Sequence, residues 1–132
     1  MTNVENTGSA LFQLYVAIAR QLVPPRARPP AIAGPPALSA AATLMAQMQA
    51  GTPDRSHLGE EFNVFLTRER VQAAAVSLGR LGKPKSIEIT ETDGRAGMEH
   101  TIVLFKFDSA NAEAEMYRTP DGIVQQFLVS RK

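Results

Sequence analysis

The sequence lacks cysteine and tryptophan, and its aromatic residues are limited to two tyrosines and six phenylalanines. Without cysteine there is no disulfide and no thiolate metal site, and the redox compartment stays undetermined. Neither sign of charge dominates, because 14 Lys and Arg residues face 13 Asp and Glu residues for a net charge of +1. The basic residues form no stripe suited to binding phosphate groups, which argues against a nucleic-acid partner.

Long apolar runs are absent as well. The longest run, residues 10–19, is interrupted by Gln13 and is far shorter than the roughly 20 residues that a membrane-spanning helix needs. It also lacks a basic n-region and a convincing cleavage site, so we expect neither a membrane span nor a signal peptide in this chain. The localisation is not determined by these features.

Catalytic and metal-binding patterns are also scarce. His57 and His100 are the only histidines, and neither has ligand residues at metal-binding spacing nearby, so we predict no metal site and no cofactor. We expect His100 to be a surface residue or a cross-strand partner. Glu113 and Glu115 share one face of a predicted strand, about 6–7 Å apart. That spacing is compatible with acid–base chemistry but is more typical of a charged, solvent-facing edge.

The sequence does contain three segments of different composition. Residues 1–23 predict an amphipathic helix that ends at Pro24-Pro25, because proline cannot continue the hydrogen-bond ladder. Residues 24–37 form a proline-rich linker, and residues 38–132 form a compact domain. The apolar stripe of the helix has no local partner, so it must pack on its own domain, on another copy or on a separate partner. The stripe consists of Leu11, Leu14, Tyr15, Ile18 and Leu22.

Within the compact domain, the hydrophobic period changes from 3.6 to 2 after Pro84. Before this point we predict helices starting at Ser39 and Thr67, with a short helical turn between them. After it we predict strands at 86–92, 99–107, 112–117 and 123–130, with a turn at Asp93-Gly94. Short connections favour an antiparallel meander. Two to three helices followed by a four-stranded antiparallel sheet predict an α+β domain.

Two of the predicted strands, the second and the fourth, are apolar on both faces. An antiparallel sheet with one solvent-exposed face shows cleaner alternation, so we expect helices on one face and another cover on the opposite face. Ile102 and Leu104 are the interface candidates on these strands. A polar pocket at the mouth of the sheet is a second candidate site, lined by Tyr117, Arg118, Gln125 and Gln126.

Three segments, residues 48–84, 95–107 and 116–131, resemble a C-terminal accessory domain found behind serine hydrolases of the β-lactamase and penicillin-binding-protein superfamily. The shared features include a helix that ends in glycine, a Leu-Thr helix start, the Gly97-Met98 entry to a strand and the turn 117–122, YRTPDG. The family often has proline and glycine where this chain has Arg68 and Ala96. The resemblance implies a cone of helices and curled sheet, as in cystatin-like and nuclear-transport-factor-2-like folds.

Residues 2–23 resemble the closing segment of the hydrolase domain itself, including its last helix. Because Ser-x-x-Lys and the other hydrolase motifs do not occur in this chain, we predict that it is not an enzyme. The resemblance implies a non-catalytic accessory or interaction domain that packs on or regulates the catalytic domain of a larger hydrolase, from a family whose members are often exported. The expected partner is that upstream domain or a second copy in a homodimer. The alternative is a small-ligand-binding cone-fold module.

Overall fold

The computed structural model describes residues 27–132 of the chain. In this part three helices, α1 (Ala37–Ala50), α2 (Glu60–Phe65) and α3 (Arg68–Gly79), precede four strands. The strands are β1 (Ser86–Arg95), β2 (Met98–Lys106), β3 (Asn111–Arg118) and β4 (Val124–Arg131). The predicted α+β order of helices followed by an antiparallel sheet is confirmed. The helix predicted within residues 1–23 lies outside the described residues, as do its interface candidates Leu11, Leu14, Tyr15, Ile18 and Leu22.

The helix boundaries follow local capping. Helix α1 begins at Ala37, directly after Pro36 and two residues before the predicted Ser39, and ends where Gly51 adopts a left-handed conformation with a φ of 77°. Helix α3 begins after Thr67, whose side-chain oxygen accepts a hydrogen bond from the Arg70 backbone N–H at 3.2 Å, as predicted for this cap.

The sheet is an antiparallel meander in the order β1-β2-β3-β4. The turn predicted at Asp93-Gly94 is wrong: β1 continues to Arg95, and the reversal occurs at Ala96-Gly97. Both turn residues have positive φ, 53° and 76°, which a two-residue hairpin of this kind requires. Asp93 is therefore a strand residue paired with His100.

One face of the sheet packs against the helices and forms the hydrophobic core. The residues at its centre are fully or almost fully buried and come from β2, β3, β4 and all three helices. They include Val103, Phe105, Ala114, Met116 and Phe127 from the sheet and Ala41, Met45, Phe62 and Val71 from the helices. We call this the helix-covered face and the opposite side the second face.

The described part of the proline-rich segment, residues 27–36, runs along one end of the sheet. Ala27 and Gly94 exchange two backbone hydrogen bonds of 2.9 and 2.6 Å, and the Ala33 N–H donates to the Pro120 carbonyl at 2.8 Å. The Arg118 side chain donates to the carbonyl of Pro35 at 2.8 Å. These contacts connect the β1–β2 end of the sheet to the β3–β4 turn.

Gly94 lies against this segment, and we expect Gly94→Ala to destabilise the domain by about 1–3 kcal/mol. A Cβ at this position would collide with the backbone carbonyl of Arg28. Urea unfolding measures the loss of stability. Gly79→Ala is the matched control, because a Cβ there meets only a carbonyl at 3.4 Å on a helix. Equal stability of the two variants would show that residues 27–29 do not constrain Gly94.

Candidate functional site

The second face of the sheet carries an unusual density of polar side chains in two cross-strand rows. The first row is Asp93, His100, Tyr117 and Gln126, and the second row is Glu91, Ile102, Glu115 and Leu128. All four members of the first row are buried, and so is Glu115. Burying charged groups is costly unless they are paired, so the contacts inside these rows determine what the site can do.

A β-bulge in β1 decides which side chains join these rows. Ile89 pairs with Val103, but the next pair in register is Glu91 with Ile102, so Thr90 is an extra residue. The extra residue inverts the alternation, because side chains point to opposite faces at a period of two. Ile87 and Ile89 therefore share the helix-covered face with Val103, whereas Glu91, Asp93 and Arg95 lie on the second face.

The centre of the site is His100, whose side chain is fully buried between carboxylates. Its Nδ1 atom is 3.0 Å from Oδ1 of Asp93 and 3.8 Å from Oε2 of Glu91. Its Nε2 atom is 2.5 Å from Oε2 of Glu115 on the neighbouring strand β3. The ring also contacts that of Tyr117, with 4.8 Å between centroids. His100 is thus a cross-strand partner, one of the two alternatives expected, and it is not a surface residue.

Arg95 lies at the β1 edge of the site and contacts two of its carboxylates. Its Nε atom lies 3.2 Å from Oδ1 of Asp93, and a terminal nitrogen lies 3.5 Å from Oε2 of Glu91. Burial opposes the charge of Arg95, but hydrogen bonds and charge interactions with Asp93 and Tyr117 outweigh burial and raise its pKa above the ordinary value. The guanidinium therefore supplies one fixed positive charge against three carboxylates.

The two acidic residues that share a face of β3 have different surroundings. Glu113 lies 3.4 Å from Lys132 and is partly exposed, as expected for a charged edge. Glu115 is buried against His100, which the sequence pattern did not indicate. Only one of the two carboxylates therefore belongs to the cluster.

The four residues predicted to line a polar pocket lie in different parts of the structure. Tyr117 and Gln126 are cross-strand partners on the second face, beside His100. Arg118 donates to Glu99 at 2.8 Å, and Gln125 lies next to Gly59 and donates to Thr119 at 3.2 Å. The four side chains do not converge on one point.

A cavity of about 220 Å³ lies between α1, the 3-10 turn Arg55–His57 and the end of β3. Arg118 is the one predicted pocket residue among those that line it, together with Asp54 and His57. The Ser56 hydroxyl donates to Asp54 at 2.6 Å and lowers its pKa below the ordinary value. The cavity is smaller than the roughly 300–1,000 Å³ of typical small-molecule sites.

The interface candidates Ile102 and Leu104 both lie on the second face and are half-buried. Leu128 occupies the same row as Ile102 two strands away, and is also half-buried. Leu104 has Glu88 and Glu113 as its cross-strand neighbours. The second face therefore combines a buried ionic cluster at one end with half-buried apolar side chains that alternate with glutamates in the adjoining rows.

Sequence reasoning missed the cluster of Glu91, Asp93, Arg95, His100 and Glu115. The one local signal is the charged alternation of residues 91–95, ETDGR, which is typical of a strand rather than a turn. Reading Ala96-Gly97 as the hairpin turn would have placed Asp93 opposite His100. The bulge at Thr90, which sets the face, has no sequence signal that we recognise.

We compared the chain with known protein families, curated proteins and solved structures. No protein-family model matches it, and neither the curated proteins nor the solved structures yield a match. Across residues 27–132, none of the helices has the length and apolar character needed to cross a bilayer. The function must therefore be argued from the geometry of the fold and its second face.

Proposed function

We propose that this chain is a non-catalytic accessory domain that docks through the second face of its sheet onto a hydrolase domain of the β-lactamase type. The observation that carries the proposal is that the sheet has apolar side chains on both faces. The helices of residues 37–79 bury one set, and Ile102, Leu104 and Leu128 form the other. Glutamates lie between these half-buried apolar side chains in the cross-strand rows, and such a mixed apolar and charged surface is compatible with a protein interaction site.

The position of Ala27 supports a partner on the N-terminal side. Ala27 pairs with Gly94 on β1, the strand that also carries Glu91, Asp93 and Arg95 of the second face. Residues 2–23 carry the resemblance to the end of a hydrolase domain. Because a chain extends by at most about 3.3–3.6 Å per residue, a domain that ends near Val23 would lie close to β1.

The alternative of a ligand-binding cone has weaker support. The cavity beside Arg118 is small, and the charged head group of Arg118 is already engaged by Glu99 and the Pro35 carbonyl. A ligand would have to displace one of these contacts. We therefore favour docking through the second face over ligand binding in the cavity.

The test of the docking function has two steps. The DNA preceding the codon for Met1 is read for an in-frame hydrolase with Ser-x-x-Lys, and the encoded domain is expressed and titrated with the 132-residue chain by calorimetry. We expect one-to-one binding with a Kd of about 10 μM or tighter. Leu104→Lys should weaken binding at least about tenfold, since a lysine there is tolerated between Glu88 and Glu113 but interrupts an apolar interface.

The matched control is Val76→Lys, which changes an exposed valine on α3 on the other side of the domain. This variant should bind as the parent chain does. The proposal would be contradicted if no hydrolase is encoded upstream, or if the two domains do not associate at about 100 μM. It would also be contradicted if Leu104→Lys and Val76→Lys lose binding equally.

A further inference from the structure

We propose that Glu91, Asp93 and His100 form a binding site for one divalent transition-metal ion, with Zn²⁺ as the test ion. One ligand atom from each side chain lies within 4.8 Å of the other two. Adjacent ligands of a six-coordinate ion with bonds near 2.1 Å are about 3.0 Å apart. The Nδ1–Oδ1 distance between His100 and Asp93 is 3.0 Å, so this pair already has the spacing of adjacent ligands. Glu91 is partly exposed at the edge and needs only a side-chain rotation to join them.

Glu115 gives His100 the orientation that a metal ligand needs. Nε2 lies 2.5 Å from Oε2 of Glu115, and in the metal-bound state an N–H at Nε2 would donate to this carboxylate while the lone pair of Nδ1 faces Asp93 and Glu91. Metal-binding histidines usually donate their other ring nitrogen to a carboxylate in this way. The 3.0 Å separation of Nδ1 and Oδ1 is also that of a hydrogen bond made by a proton on the ring, and in our proposal the metal ion takes the place of that proton.

The charge of the cluster favours a divalent cation. Glu91, Asp93 and Glu115 carry three negative charges when ionised, and Arg95 supplies one positive charge within contact distance. A divalent cation would be attracted to this group of carboxylates. One imidazole and two carboxylates suit Zn²⁺, Co²⁺ or Mn²⁺ better than a soft ion such as Cu⁺.

Arg95 is the competitor in this site. Its guanidinium contacts the same two oxygen atoms, Oδ1 of Asp93 and Oε2 of Glu91, that the metal would use. Binding must displace it towards solvent, which reduces the affinity. We therefore expect that removing the charge of Arg95 strengthens metal binding.

The experiment titrates the full 132-residue chain with Zn²⁺ by calorimetry and with Co²⁺ by visible absorption. We expect one ion per chain, and Arg95→Gln should bind about tenfold tighter or more because the competing cation is gone. Glu91→Gln removes a carboxylate charge at the partly exposed edge and should weaken binding at least about tenfold. Glu115→Gln should weaken it about 10–100-fold by loosening the orientation of His100.

His57→Gln is the matched control, because it changes the other histidine, which lies exposed in the 3-10 turn near Asp54. This variant should bind Zn²⁺ as the parent chain does, and circular dichroism establishes that each variant is folded. No binding at about 1 mM Zn²⁺ by either the parent chain or Arg95→Gln would overturn the proposal. Loss of binding in His57→Gln, or unchanged binding in Glu91→Gln, would also overturn it, since the ion would then lie elsewhere. These outcomes are independent of the docking function, which rests on Leu104 and its apolar neighbours.

Discussion

Replacing Arg118 with methionine is expected to destabilise the domain by about 3–5 kcal/mol, the usual loss when one partner of a buried ion pair is removed. The side chain of Arg118 is 2% exposed and that of Glu99 is 13% exposed, with a donor–acceptor distance of 2.8 Å. Methionine fills much of the space but leaves the largely buried Glu99 carboxylate without this guanidinium. It also removes the hydrogen bond to the Pro35 carbonyl, which anchors the segment 27–36 to the sheet.

Urea denaturation of the variant measures this loss as a lower transition midpoint at an unchanged slope. Adding Glu99→Gln to the Arg118→Met variant should recover part of the stability, because the uncompensated carboxylate charge of Glu99 is then removed. The matched control is Lys85→Met, which removes a largely exposed pair between Lys85 and Asp108 at 3.6 Å and should cost less than about 1 kcal/mol. If Arg118→Met and Lys85→Met lower the stability equally, burial of the ion pair is not what stabilises the end of the sheet.

Truncation of Phe62 to alanine is expected to cost about 3–5 kcal/mol, the range for a buried phenylalanine. Phe62 is 1% exposed in the core cluster, and it is the only fully buried side chain of the six-residue helix α2. A helix this short is not stable by itself, so it depends on its contact with β4. We therefore expect the mutation to detach α2 as well as to leave a cavity.

Chemical denaturation gives the free energy of unfolding, and hydrogen exchange of the amides of α2 shows whether the helix opens separately. The matched control is Val64→Ala on the same helix, where the side chain is 74% exposed and the expected change is within about 0.5 kcal/mol. A loss of less than about 1 kcal/mol for Phe62→Ala would indicate that α2 contributes little to the core.

The α+β order could be predicted because each part of it depends on neighbours along the chain. The helical period before Pro84, the period of two after it, and the caps at Gly51 and Thr67 are local signals. The doubly apolar character of β2 likewise follows from residues 102–107, and it predicts that both faces of the sheet carry apolar side chains. These predictions needed no knowledge of strand pairing.

The candidate site could not be predicted because it depends on register. Asp93 and Gly94 have strong turn propensity, yet both remain in β1, since Ala96 and Gly97 supply the positive φ angles of the hairpin. The bulge at Thr90 then turns Glu91 and Asp93 towards His100. A shift of one residue in either feature would place these carboxylates on the helix-covered face or beyond the sheet.

The sequence by itself therefore determined the class of the fold, the order of its elements and the absence of the hydrolase motifs from this chain, and it predicted apolar side chains on both faces of the sheet. Tertiary structure alone decided that His100 is buried between Asp93 and Glu115, and that the pocket candidates Tyr117 and Arg118 lie in different surroundings. The physical reason is that hydrophobic period and capping act between near neighbours, whereas an ionic cluster forms only when pairing brings distant strands into register.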